Sequence, residues 1–139
     1  MNDEVKKKKK SHGATNRRKG HAAEREYVKK FKELGFKHCI TARLGSRIHD
    51  YAGIDLILIP LNVQIKAGKQ VGLKANVELK YIHDRMVELF PEDAKEHSLP
   101  KVLIHRREAG TGTKRTDFHD IVSLTWVDFA KILKKVEKW

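Results

Sequence analysis

The sequence predicts an α/β domain, a mixed β-sheet flanked by helices in the order α-β-β-β-α-β-β-α. Three observations predict it. Apolar residues recur at helical spacing in three separate segments, near the start, in the middle and at the end of the chain. Between the first two lies the β-branched run Ile54-Asp55-Leu56-Ile57-Leu58-Ile59, closed by Pro60 and followed by a second strand-like segment. The 139 residues, 40% hydrophobic and 35% charged, suit one domain with a real core.

Met1 to Lys19 are expected to form a disordered basic arm ahead of a folded domain over 20–139. Residues 1–20 hold eight Lys or Arg against two acids, and Lys6 to Lys10 are unbroken. Like charges repel such a block into an extended state. It reads as a phosphate grip or as an ordinary solvated tail. The first helix is predicted over Gly20–Leu34, with Ala22, Ala23, Tyr27, Val28, Phe31 and Leu34 recurring at helical spacing and Gly35 as its stop. Phe36–Ala42 reads as a strand and Arg43–Gly53 as a polar loop. Ile54–Pro60 and Asn62–Lys66 read as a strand pair, and the apolar character of the first predicts a central place in the sheet.

Ala67–Ala75 is a Gly/Lys-rich loop, and a second helix is predicted over Asn76–Phe90 with Leu79, Ile82, Met86 and Leu89 inward. Strands follow at Lys101–His105 and about Asp117–Leu124. Thr111–Thr116, with Lys114 and Arg115, forms either a DNA-contacting tip or a solvated turn. The last helix opens at Thr125, with Asp128 placed for a capping box and Trp126, Phe129, Ile132, Leu133 and Val136 inward.

The formal net charge is +12. Each phosphate neutralised releases condensed counterions, so nucleic acid is the favoured partner. No apolar run spans a bilayer, and the lysine-rich start lacks a secretory apolar stretch. No membrane partner and a cytoplasmic place, the host cytoplasm for a phage protein, are therefore expected. Cys39 is the only cysteine, which excludes an intrachain disulfide and a cysteine zinc cluster. A buried apolar role fits it. The histidines show no metal-ligand spacing, though His49 lies before Asp55 as a candidate substrate contact.

Phosphodiester hydrolysis needs an activated water, charge relief on the phosphorus and help for the leaving oxygen. A divalent metal held by carboxylates supplies most of this. The search is therefore for acids at strand ends beside a lysine. Asp55 is the single charge in an apolar strand. A strand-end cap, paired to Arg43 or Arg47, is its plain alternative. Gln64 and Lys66 stand two apart, on one face of the next strand. They read either as a metal-site pair, with the Gln oxygen a neutral ligand, or as the polar face of an edge strand. Glu24 lies beside the apolar stripe of the first helix, where it completes a carboxylate set or complements the helix dipole.

Together these residues resemble the archaeal-type Holliday junction resolvases of the PD-(D/E)xK nuclease superfamily. The resemblance rests on Arg18-Lys19-Gly20-His21-Ala22-Ala23-Glu24-Arg25-Glu26 with Leu34-Gly35-Phe36, then Arg43 and Ser46, Gly53-Ile54-Asp55-Leu56-Ile57 and Val63-Gln64-Ile65-Lys66. It covers roughly Arg17 to Lys69. It implies a restriction-endonuclease-like fold and a metal-dependent endonuclease cutting four-way or branched DNA. Glu24, Asp55, Gln64 and Lys66 would be catalytic, with Glu24, Asp55 and Gln64 on Mg2+, for which Mn2+ can substitute. Arg17, Arg18, Lys19, Arg25, Arg43, Ser46, Arg47 and Lys69 would contact DNA. A homodimer is implied, and no organic cofactor.

One departure stands out. Gln64 occupies the place of the usual acid, which keeps an oxygen donor but removes a charge. A flap, single-strand or restriction-like nuclease, and a catalytically silent DNA-binding protein, are the alternatives. Glu78-Leu79-Lys80 is a second acid-x-Lys string. It ranks lower because its surroundings read as helix, where residues two apart do not share a face.

Overall fold

The computed structural model describes residues 2–68, 74–108 and 112–136, with side chains from Arg18 onward. The chain builds a five-stranded mixed sheet in the order β1-β2-β3-β4-β5, flanked by helices. The strands are β1 (Ile40–Thr41), β2 (Leu56–Ile57), β3 (Asn62–Gly68), β4 (Lys101–Arg107) and β5 (Asp120–Ser123). The helices are α1 (Asn2–Glu33), α2 (Ala42–Gly45), α3 (Arg47–Tyr51), α4 (Ala75–Leu89) and α5 (Trp126–Lys135). All strand pairs are antiparallel except β3 with β4, which run parallel and are joined through α4.

Several expectations are corrected. The arm expected to be extended is helical, because α1 begins at Asn2. Lys, Arg and Glu favour helix, no proline interrupts the segment, and a packed C-terminal half can propagate the helix backwards at one bond per residue. The loop expected at Arg43–Gly53 contains two short helices, α2 and α3, with Ser46 capping the second. The strand expected over Ile54–Pro60 shrinks to Leu56–Ile57, since Leu58 takes a left-handed backbone (φ 64°) that ends the ladder. It lies second from the edge, and β3 holds the centre. The strand expected from Phe36 shrinks to β1, and β5 starts only at Asp120 after a 3-10 turn.

Strand parity divides the core. Val63, Val102 and Ile104 pack against Tyr27 of α1, with Val28, Phe31 and Ile65 alongside; buried Cys39 and Leu56 complete that layer. The opposite face of β3 carries Gln64 and Lys66, and there Ile82 and Met86 of α4 bury Ala52 and Ile54. Leu89 is exposed rather than inward.

The last helix is rotated relative to expectation. Trp126 is 73% exposed and Val136 65%, with Phe129 and Leu133 also outward. The inward stripe is instead Asp128 and half-buried Ile132, four residues apart. Thr125 Oγ accepts from the Asp128 N–H at 3.3 Å. The Asp128 carboxylate does not close the box; it accepts the Lys101 backbone N–H at 3.0 Å and so pins α5 to β4. Among the described residues, no helix is long and apolar enough to cross a membrane.

Candidate active site

Asp55 sits just before β2, where its backbone already bonds to β3 through Val63 O at 2.7 Å. Its side chain turns along the same ladder, and Oδ2 accepts the Ile65 N–H at 2.7 Å. This bond aims the carboxylate at the second half of β3. Burial raises the Asp55 pKa from its ordinary value to about 7. The Ile65 N–H and the Lys66 charge pull it down, while Glu24 and Asp50 push it up. Glu24 from α1 and Lys66 from β3 are thus both close enough to act on the Asp55 charge.

Glu24 is held from the other side. Arg43 Nε of α2 donates to its Oε2 at 3.2 Å. The arginine considered as a partner for Asp55 therefore serves Glu24. Gln64 shares the face of Lys66, and its amide lies against the turn at Gly53. A β-carbon at Gly53 would stand 3.0 Å from Gln64 Nε2 and 3.6 Å from Ile82 Cγ1. Glycine, which also tolerates the positive φ of 85° there, is what lets the amide approach.

The loop between β1 and β2 carries a further polar chain. Ser46 Oγ lies 2.6 Å from His49 Nδ1, and His49 Nε2 lies 3.9 Å from Glu96. The Phe90 ring edge packs on the imidazole at 4.9 Å between centroids. Burial lowers the His49 pKa against the pull of Glu96. Glu96 is far away in sequence and carried no signal that it would meet this loop.

The expected DNA contacts separate into groups. Arg18, Arg25 and Arg47 are exposed cations. Lys19 pairs with Glu108 at 3.5 Å, and Arg43 is taken up by Glu24. The side chain of Arg17, the whole of Lys69 and part of the Thr111–Thr116 segment lie outside the described residues. Arg115 is structural in the described fold, pairing with Asp120 and Glu26.

Two further polar side chains stand out, His105, which sequence reasoning missed, and Glu78, which it weighed only within Glu78-Leu79-Lys80. His105 of β4 is 1% exposed and is the register partner of Lys66. Its Nε2 meets Ser123 Oγ at 2.8 Å, but its Nδ1 has no partner. Glu78 of α4 also has a buried oxygen, Oε2, without a partner. A histidine inside the apolar run Val102-Leu103-Ile104 was the one available signal. The helical reading of Glu78-Leu79-Lys80 holds, and Lys80 turns outward to Asp84 at 2.9 Å.

Comparison with protein-family models, with curated proteins and with solved structures finds no match. Among the described residues, no group of three or more His, Cys, Asp or Glu side chains is arranged to hold a metal. What the fold assembles is a buried acid under opposed influence from a second acid and a lysine, with an amide on the lysine's face.

Proposed function

We propose that this chain is a metal-dependent DNA endonuclease of the PD-(D/E)xK type, with a restriction-endonuclease-like fold, that cuts four-way or otherwise branched DNA. The supporting observation is the meeting of Asp55, Glu24 and Lys66 around one buried carboxyl with a pKa of about 7. An acid raised mainly by burial, with Glu24 adding to the shift, marks a water-poor site in which a bound cation would relieve the charge. The donors are hard oxygens from Asp55, Glu24 and Gln64. That chemistry fits Mg2+, which takes few protein ligands and keeps several waters; Mn2+ would substitute.

Such an ion, when bound, supplies Lewis acidity and lowers the pKa of its water. The chain's own residues do the rest. Ile65 N–H fixes the Asp55 carboxylate, Arg43 fixes Glu24, and the Lys66 ammonium offsets charge on a phosphate oxygen. Arg18, Arg25 and Arg47 provide exposed cations for the backbone of a duplex.

The same reading includes a homodimer. The outer edge strand β5 exposes Ile121 and Val122, and α5 beside it exposes Trp126, Phe129, Leu133 and Val136. An apolar groove of about 440 Å³ runs between α1 and α5. Exposed apolar side chains beside such a groove suit a self-complementary interface. A second reading, a DNA-binding protein without cleavage, is favoured by Gln64 alone.

The test is a labelled four-way junction incubated with Mg2+ or Mn2+, with flap, single-stranded and linear duplex DNA alongside. Paired symmetric nicks are expected, lost in Lys66→Met while junction binding persists. Binding that ignores both metal and the Lys66 substitution, with no cutting of any substrate, would identify the silent binder.

A further inference from the structure

The unpartnered atoms of Glu78 and His105 point to a role for α4 in the same site. An unmet buried hydrogen-bonding group costs about 1–3 kcal/mol, so two together call for a shared partner. The topology fixes where they lie. In the parallel pair β3–β4, Gln64 stands opposite Leu103 and Lys66 opposite His105. Helix α4 joins these strands and so runs back across the sheet, opposite to their direction. Ile82 lies beside Gln64, as their common approach to Gly53 shows.

Glu78 is four residues before Ile82, about 6 Å back along the helix axis. Lys66 is two residues after Gln64, about 7 Å along the strand in that same direction. Glu78 therefore stands over the Lys66–His105 row. Its charge is felt by His105, whose pKa is lowered mainly by burial and raised in part by Glu78. The two groups are nonetheless not close enough to bond, and among the described residues Glu78 makes no ion pair.

A carboxylate is missing from position 64, and one with an unpartnered oxygen stands a helical turn from Ile82, the neighbour of Gln64. We propose that Glu78 supplies, from α4, the negative charge that Gln64 lacks, and that it holds a hydrated divalent cation jointly with Asp55. This rests on the reading of the site as a metal centre. Glu78 acts through the cation's water shell, because no three acids cluster tightly enough for common direct coordination. Magnesium retains several waters, and a carboxylate that bonds to them still contributes its charge.

The experiment is calorimetric titration of Mn2+ into the full chain and into Glu78→Gln, Gln64→Glu and the double variant. Thermal melting in EDTA and junction cleavage are measured on the same samples. Glu78→Gln is expected to weaken Mn2+ binding about 10- to 100-fold. Its melting temperature in EDTA should not fall, because the substitution removes an unpaired buried charge. Adding Gln64→Glu should restore most of the affinity, since the charge returns to the same centre. Unchanged Mn2+ affinity in Glu78→Gln overturns the inference. So does failure of Gln64→Glu to restore it, or an absence of Mn2+ binding by the native chain. If Glu78 controls Mn2+ affinity but no DNA is cut, the metal site stands and the nuclease reading falls. If native and Glu78→Gln cut junctions alike with equal Mn2+ affinity, the nuclease reading stands and the role of Glu78 falls.

Discussion

Replacing Asp55 with Asn should stabilise the fold while abolishing cleavage, and the gain should depend on pH. The carboxyl moves from an ordinary 3.8 to about 7 in the folded protein, mainly through burial. That is about three units, each worth about 1.4 kcal/mol, for a ceiling of about 4 kcal/mol. Residual solvent contact screens the charge, so a net effect of about 2 kcal/mol is expected. The Asn oxygen can still accept the Ile65 N–H, so the bond that orients the side chain survives.

The direction follows from proton counting. Between 3.8 and about 7 the folded state holds more of this proton than the unfolded state, so this group lowers stability as pH rises. The penalty is absent below the unfolded value and complete above about 7. Urea denaturation in EDTA, at pH 4 and pH 8, of the native chain and Asp55→Asn measures it. Other titrating groups are common to both proteins and cancel in the difference. Asp55→Asn should be the more stable by about 2 kcal/mol at pH 8, with the gap nearly closed at pH 4. Mg2+ at pH 8 should stabilise the native chain and leave the variant unchanged. A gap of the same size at both pH values, or a variant less stable at pH 8, would refute the burial argument.

Two further outcomes are expected. Deleting residues 1–16 removes five lysines, Lys6 to Lys10, together with the two acids Asp3 and Glu4, and should weaken binding to every DNA shape while flattening its salt dependence, read from binding isotherms between about 50 and 200 mM salt. Trp126→Ser together with Val136→Ser should leave the monomer folded, since both side chains are largely outward. Light scattering should then show a dimer for the native chain and a monomer for the variant; an unchanged mass would move the interface elsewhere.

The residues of the candidate site drew notice in the sequence because their signals are local. Asp55 is a lone charge in an apolar run, Gln64 and Lys66 share a face by the strand's period of two, and Tyr27 with Val28 and Phe31 mark the buried side of α1. Burial of Cys39 was likewise plain from residue type. The rotation of α5 was not, because its strongest apolar residues face outward and a buried Asp128 decides the orientation through its bond to Lys101 N–H. Nor could composition reveal that Arg43 serves Glu24 or that Glu96 reaches His49. Those pairings join segments far apart in the chain. Periodicity says which way a side chain points from its own element, but only the packed order of strands and the return path of α4 decide what it meets.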